Sequence, residues 1–211
     1  LPSNVECIDD DTADMSRVES GSVDLVFSGQ NIEHLWPEQV LGFLLEAHRV
    51  LRPGGWIVLD SPNRDITDAL NWSHPEHIVE FTVDEADRIL TLAGFAKESM
   101  RGIWLNRVGP RILPLLPLDD AAGTADSIGI LRRIVLAARR PEDSFVWWAE
   151  YRKEGTPDVD ALRALLNEIH DRAWPTRVDR LVPHAPVVED GDGRWVRADE
   201  GQGIVLYDGP F

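Results

Sequence analysis

Two histidines in one short polar stretch are the side chains of this sequence best suited to acid–base chemistry. His74 and His77 lie in the run Asn71-Trp72-Ser73-His74-Pro75-Glu76-His77. Histidine suits a general base because its unperturbed pKa lies close to neutral pH. Together with Glu76 the pair could also contribute to a metal site, but the sequence shows no further ligand, so we expect no metal.

A second polar stretch, Ser28-Gly29-Gln30-Asn31, follows the apolar run Val23-Asp24-Leu25-Val26-Phe27. Another apolar run, Trp56-Ile57-Val58-Leu59, is continuous, as in a parallel strand that is covered on both faces. In open parallel sheets, ligands bind beyond the carboxyl ends of the strands. Residues 28–34 and 60–67 are therefore the stretches in which we expect ligand contacts.

A helical pattern separates the two apolar runs. It begins at Pro37, a residue favoured at the first helical position, and apolar residues recur through residues 40–51 at helical spacing. Arg52-Pro53-Gly54-Gly55 then ends the helix. The sequence thus predicts a strand–helix–strand unit with parallel strands.

Further along the chain, Thr82-Val83-Asp84-Glu85 forms a capping box that predicts the start of a helix. Strands are predicted at Phe95 to Leu105 and at Ser144 to Tyr151. The interruption between them is longer than an ordinary connection, contains an amphipathic pattern around residues 128–139, and is typical of a functional cap. A last helix follows Thr156, with leucines and an isoleucine on one face.

Four motifs follow one another between Gly21 and Asn63: Ser22-Val23-Asp24-Leu25-Val26-Phe27-Ser28, Ile32-Glu33-His34-Leu35, Arg49-Val50-Leu51-Arg52-Pro53-Gly54-Gly55 and Ser61-Pro62-Asn63. In this order and at this spacing they resemble the class I S-adenosylmethionine-dependent methyltransferases of the type 11 group. The resemblance implies an α/β, Rossmann-like sheet, S-adenosylmethionine as the cofactor, and transfer of its methyl group.

The resemblance also implies roles for individual residues. Ser28, Gly29, Gln30 and Asn31 would contact the methionine part of the cofactor. Asp11, with the amide of Thr12, would contact the adenine, and Asp10 is the alternative position for that carboxylate. If the methyl acceptor is a hydroxyl, His74 or His77 would be the base.

Two cofactor motifs of this family are not found in the sequence: the glycine-rich loop after the first strand and the acidic residue that ends the second. The earliest family element is Val5-Glu6-Cys7-Ile8, which would end the third strand. We therefore expect a partial methyltransferase domain at residues 1–153, with the first two strand–helix units missing and a helical cap insertion at 106–142.

Two further segments follow the predicted domain. Residues 154–182 are expected to form a helical extension, and residues 183–211 a linker and the start of another module. The motifs Gly201-Gln202-Gly203-Ile204-Val205-Leu206-Tyr207 and Gly209-Pro210-Phe211 weakly resemble the opening of a carbohydrate-binding β module.

Composition narrows the choice of partners. The chain of 211 residues has 21 basic and 37 acidic side chains and a net charge of −16, which disfavours binding to nucleic acids or anionic membranes. Its single cysteine, Cys7, fits a reducing compartment, and no apolar run reaches the roughly 20 residues of a membrane-spanning helix. We expect a cytoplasmic protein; its oligomeric state stays open.

The leading hypothesis is methyl transfer from S-adenosylmethionine to a small-molecule or glycan acceptor, most simply a hydroxyl group. Trp72, Trp104, Trp147 and Trp148 could line a cavity for a ring-shaped acceptor. The alternative is a non-catalytic interaction or scaffold domain in a protein of glycan assembly. A nucleotide-dependent dehydrogenase is disfavoured because no dinucleotide fingerprint is present.

Overall fold

The computed structural model describes residues 4–8, 11–114 and 127–181, together with three short strands between residues 187 and 208. Its centre is a four-stranded mixed sheet, in the order β1 (Val23–Gly29), β2 (Leu51–Pro62), β6 (Ser144–Lys153) and β3 (Phe95–Leu105). β1 and β2 are parallel, whereas β6 is antiparallel to both of its neighbours. The predicted α/β class is confirmed, and the strands predicted at Phe95 to Leu105 and at Ser144 to Tyr151 form as β3 and β6.

The strand–helix–strand unit forms as predicted around α1 (Pro37–Val50). One face of this helix is fully buried, including Phe43, Leu44 and Ala47. The backbone turns sharply after α1, and Gly54 adopts a φ of +71°, a region that side chains with a Cβ rarely occupy. A register shift between β1 and β2 accommodates this turn.

Two further helices complete the core beside the sheet. α3 (Val83–Leu92) begins with the predicted capping box, in which the Thr82 hydroxyl accepts from the Glu85 amide at 3.2 Å. The Glu85 carboxylate in turn accepts from the Thr82 amide at 2.9 Å. α5 (Val159–Leu181) packs against α1 and α3. Its apolar residues between positions 162 and 169 are part of the buried core.

The predicted cap region contains a small hairpin of β4 (Arg107–Val108) and β5 (Arg111–Ile112), followed by α4 (Ser127–Ala137). α4 contacts β3, and the Arg133 guanidinium lies 4.4 Å from the centre of the Trp104 ring. Residues 115–126 lie outside the described part of the chain. The bounds of the predicted cap therefore stay a prediction.

Near the end of the chain, β7 (Val187–Asp190), β8 (Gly193–Arg197) and β9 (Val205–Asp208) form an antiparallel sheet. The motif at 201–207 is described only from residue 205 onward, and 209–211 lie outside the described residues. The resemblance of this segment to a β module stays a prediction.

One predicted element does not form. Residues 5–8 were expected to end a strand, but they are exposed and have no strand structure. The physical reason is that strand geometry requires a hydrogen-bonded neighbour. Among the described residues, β1 has a single strand beside it, β2, and residues 5–8 do not pair with its other edge.

A short helix, α2 (Arg64–Ala69), follows β2 and opens the loop that carries the two histidines. The corresponding loop after β1 contains the 3-10 helix Ile32–His34. Both loops leave the carboxyl ends of parallel strands, and ligands bind at that edge in open α/β sheets.

Candidate functional site

Backbone hydrogen bonds join the two loops at the carboxyl edge of the sheet. The Glu33 carbonyl accepts from the Ile78 amide at 2.6 Å and from the Val79 amide at 3.3 Å. The Nδ1 atom of His34 lies 3.1 Å from the Glu76 carbonyl oxygen. The polar residues after β1 and the histidines after β2 are thereby brought to one place, as the sequence predicts for a ligand site.

The predicted cofactor residues after β1 form a tight turn that Asp60 holds. Gln30 has a φ of +49°, which is rare for a residue with a side chain. Its amide donates to the Asp60 carbonyl at 3.0 Å and its side-chain nitrogen to the Asp60 carboxylate at 2.9 Å. Asn31 donates to the Ser28 hydroxyl at 3.2 Å.

Gly29 in this turn has no room for a side chain. A Cβ there would lie 2.7 Å from an Asp60 carboxylate oxygen, well inside contact distance. Strained backbone that is held by its surroundings is concentrated at functional sites. The geometry is consistent with the predicted role of residues 28–31, which no observation tests directly.

The second predicted cofactor turn, at Asp11 and Thr12, lies against α1. Both residues are exposed, and the Asp11 carboxylate accepts from the Ala13 amide at 2.8 Å. The turn is tied to α1 where the Met15 amide donates to Glu46 at 2.8 Å. Its predicted contact with adenine stays a prediction, and the alternative residue, Asp10, lies outside the described residues.

The predicted bases His74 and His77 lie together and are joined by His34. The ring centre of His77 lies 4.6 Å from the ring centre of His74 and 4.7 Å from that of His34. His77 is buried, and its Nδ1 lies 2.7 Å from a carboxylate oxygen of Glu80, which is buried as well. Burial lowers the pKa of His77, and the contact with Glu80 opposes this shift.

The Glu80 carboxylate is itself fixed in place. The second carboxylate oxygen accepts a hydrogen bond from the Thr67 hydroxyl on α2. The backbone carbonyl of Glu80 accepts from the Arg64 guanidinium at 2.9 Å. A carboxylate that accepts from Nδ1–H leaves the Nε2 lone pair of the histidine available as base or ligand. The His77–Glu80 pair is therefore preorganised for proton transfer or for metal binding.

Glu33 has a carboxylate in an unusual environment. The residue is fully buried, and neither carboxylate oxygen has a hydrogen-bond partner among the described residues. Burial raises the pKa of Glu33 to about 7. The buried Ser61 hydroxyl lies close enough to oppose this shift but does not have hydrogen-bond geometry.

A cavity of about 220 Å³ adjoins the histidines through Trp72 and Glu80. It lies between the loop after β2, α2 and α5, and its wall carries charges of both signs. The lining residues are Arg64, Asp68, Trp72, Ser73, Ile78, Val79, Glu80, Arg172, Ala173, Thr176 and Arg177. A cavity of this size is smaller than the roughly 300–1,000 Å³ that is usual for drug-sized ligands, so it fits a small polar group.

The four tryptophans do not line one cavity together. Trp72 borders the cavity, but Trp147 is fully buried in the core and donates from its indole nitrogen to the Phe81 carbonyl at 2.9 Å. Trp148 lies against Phe27, with ring centres 5.8 Å apart, and Trp104 lies beside Arg133. For Trp104, Trp147 and Trp148, the expectation of a shared aromatic cavity is wrong.

Comparison with known families decides the identity of the segment that forms this edge. Residues 1–59 match the model of a methyltransferase domain. This part of the chain is similar to the methyltransferase domain family. The predicted family, and with it the family's cofactor, is confirmed.

Two curated relatives of the chain are named as methyltransferases. A probable S-adenosylmethionine-dependent methyltransferase of Mycolicibacterium smegmatis is 40% identical over 86 residues, covering 39% of this chain and 32% of the relative. One from Mycobacterium tuberculosis is 35% identical over 126 residues, covering 57% of this chain and 42% of the relative. The chain thus spans less than half the length of these relatives.

Among solved structures, an S-adenosylmethionine-dependent methyltransferase from Archaeoglobus fulgidus is similar to this chain. It is 16% identical and has a TM-score of 0.48, with 69% of this chain and 66% of that chain covered. In the described part of the chain, no helix is both long and apolar enough to cross a membrane.

The sequence predicts the two histidines as bases and places Glu33 and His34 in a stretch of expected ligand contacts, but it does not indicate Glu80 or the contacts among these side chains. Glu33 and His34 were read as part of a family motif, and their contacts depend on a loop more than 40 residues away. The spacing of His77 and Glu80, three residues apart, was the signal that could have indicated their hydrogen bond.

Proposed function

We propose that this methyltransferase transfers a methyl group from S-adenosylmethionine to a hydroxyl of a small molecule or glycan in the cytoplasm. The observation that carries the proposal is the convergence of two polar loops at the carboxyl edge of a sheet whose first segment matches the methyltransferase family. The net charge of −16 favours an acceptor other than a nucleic acid.

The reaction is an in-line displacement. Bound S-adenosylmethionine would supply an electrophilic methyl group, which would pass to the acceptor oxygen with the thioether as the leaving group. The protein's main contribution is to orient the two reactants, and a base removes the hydroxyl proton. Residues 28–31 would hold the methionine part of the cofactor, and Asp11 with Thr12 would contact the adenine.

His74 and His77 are the proposed bases. His77 is oriented by Glu80, whereas the half-buried His74 lies on the more accessible side of the pair. The adjoining cavity would hold a small polar part of the acceptor between Arg64, Arg172 and Glu80. This arrangement favours a hydroxylated or sugar-like acceptor over an apolar one. An apolar acceptor would remove water from the charged side chains of the cavity without offering them hydrogen bonds, which costs free energy.

The test is transfer of a labelled methyl group from S-adenosylmethionine by the full-length protein to a panel of sugars and small hydroxyl compounds. His74→Gln and His77→Gln are compared with His170→Gln, a histidine on α5 outside the site. Loss of the base is expected to lower kcat by about 100-fold or more, with the KM for the cofactor little changed.

The control variant should retain the wild-type rate. If no hydroxyl compound is methylated, or if both site variants match His170→Gln, hydroxyl methylation assisted by these histidines is wrong.

A second candidate function is a non-catalytic scaffold, and one observation favours it. Leu25 and Phe27 on β1 are 51% and 59% exposed, although β1 is a strand of the central sheet. Exposed apolar side chains on a sheet edge are suited to contact with another polypeptide. A scaffold would not bind S-adenosylmethionine, so cofactor binding distinguishes the two functions.

A further inference from the structure

Glu33, His34 and His77 form a cluster of donor groups where the two loops meet. One candidate ligand atom from each residue lies within 4.8 Å of the other two. Two of the residues come from the loop after β1 and the third from the loop after β2. The hydrogen bond from the Ile78 amide to the Glu33 carbonyl, at 2.6 Å, fixes the loops relative to each other.

Both imidazole rings are held in the orientation that metal ligands require. Nδ1 of His34 lies 3.1 Å from the Glu76 carbonyl oxygen, which can only accept, so Nδ1 carries the proton. Nδ1 of His77 is held in the same way by the Glu80 carboxylate at 2.7 Å. In each ring Nε2 is the nitrogen left to bind a cation, and partners of this kind accompany most metal-binding histidines.

The Glu33 carboxylate is the independent observation that points to a ligand. It is 0% exposed, and both oxygens lack a hydrogen-bond partner among the described residues. Burying a carboxylate without a partner is costly, and buried charges are normally paired or coordinate a metal. A cation beside Glu33 would satisfy this group and the two rings together.

We propose that Glu33, His34 and His77 bind a divalent transition-metal cation. Two imidazoles and one carboxylate form a donor set that suits Zn²⁺, Mn²⁺ or Fe²⁺ and leaves a coordination position for another ligand. Metal–ligand bonds of about 2.1 Å place ligand atoms about 3.4 Å apart. Binding therefore draws the three atoms together by up to about 1.4 Å, which side-chain rotation can supply.

This metal site goes beyond the proposed methyl transfer, and cation binding is measurable without that reaction. A cation on Nε2 of His77 occupies the lone pair that a base would use, so His74 is the base when the metal is bound. His74 is close to the cluster but is not one of its three ligands. This difference supplies a matched control.

The test is calorimetric titration of the chelator-treated full-length protein with Zn²⁺. It is carried out in a Cys7→Ser background, because the exposed Cys7 thiol could bind Zn²⁺ adventitiously. One cation per chain is expected. Glu33→Gln, His34→Gln and His77→Gln should each weaken binding by at least about 100-fold, since loss of an outer partner alone costs 10–100-fold.

The controls are His74→Gln, beside the cluster, and His170→Gln, on α5. Both should bind Zn²⁺ within about threefold of the parent protein, whereas Glu80→Gln should weaken binding by about 10–100-fold. Circular dichroism establishes that each variant is folded. The proposal is overturned if the parent protein does not bind Zn²⁺ or if the three ligand variants bind it as tightly as the parent does. It is also overturned if either control loses binding.

A second measurement covers variants that do not fold. Anomalous diffraction at the zinc absorption edge, from crystals of the parent protein grown with Zn²⁺, should place one cation between Glu33, His34 and His77. A cation elsewhere, or none, overturns the site. Neither measurement requires S-adenosylmethionine or an acceptor, so failure of the metal site is distinguishable from failure of methyl transfer.

Discussion

The side chain of Asn63 joins the end of β2 to the segment before β6. Its amide nitrogen donates to the carbonyls of Pro141, Glu142 and Ser144 at 3.2–3.3 Å, and its oxygen accepts from the Asp65 amide at 3.2 Å. Asn63 is fully buried, so these groups have no access to water. A residue in a ligand-binding motif thus has a structural role here.

Replacing Asn63 with alanine is expected to destabilise the fold by about 2–4 kcal/mol, because it leaves several buried polar groups without partners. Asn63→Asp should be at least as destabilising, since it keeps the size but directs a carboxylate at three carbonyls. The measurement is denaturant unfolding followed by circular dichroism. Wild-type stability of Asn63→Ala would show that these contacts are not formed.

Single residues were predictable from the sequence only where their chemistry is local. The histidine pair was found because both rings lie within four positions, and Asp60 was included because it follows a strand. Glu33 lies in the predicted stretch 28–34, but its isolation from hydrogen-bond partners was not predictable, since it arises when the loop at residues 72–80 closes over it.

At the level of elements, helix starts are the best-determined features of this chain. Thr82 and Glu85 form the predicted capping box, and α1 begins at Pro37 as expected. Both signals are local, so no tertiary information was needed. Residues 5–8 show the opposite case: their apolar character favours a strand, but strand structure depends on a neighbour that the sequence pattern cannot place.

Thr82→Ala is expected to lower the free energy of unfolding by about 1 kcal/mol, because the first turn of α3 loses its hydroxyl acceptor. Thr91→Ala is the matched control, an exposed threonine within the same helix. That control should be neutral or slightly stabilising, since alanine has the higher helix propensity. Equal effects in thermal denaturation would contradict a capping role for Thr82.

For the whole molecule, net charge and the exposed edge of the sheet have opposite effects on association between chains. The net charge of −16 keeps chains apart, whereas the exposed Leu25 and Phe27 favour association. Among the described residues β1 has β2 as its single neighbour, so its other edge offers backbone groups for pairing.

Leu25→Lys is expected to reduce self-association, because a charged side chain on an edge strand opposes pairing between chains. Leu131→Lys on α4 is the control of similar exposure, and it should have a smaller effect because helical backbone groups are already paired. Sedimentation velocity over a range of protein and salt concentrations measures the difference. Unchanged association in Leu25→Lys would exclude β1 as the contact.

The central proposal, that this chain is part of a methyltransferase that uses S-adenosylmethionine, depends on the turn at the end of β1. In that turn Asn31 donates to the Ser28 hydroxyl, and Asp60 holds Gln30 at its positive φ. Loss of one such hydrogen bond corresponds to about a tenfold change in affinity. Asn167, exposed on α5, provides an asparagine outside the site.

The most direct measurement is calorimetric binding of S-adenosylhomocysteine, the demethylated product, to the full-length protein. We expect one site per chain, about tenfold weaker binding by Asn31→Ala, and wild-type binding by Asn167→Ala. Absence of binding to the folded wild-type protein, or equal affinities in the two variants, would contradict the cofactor site assigned to this edge of the sheet.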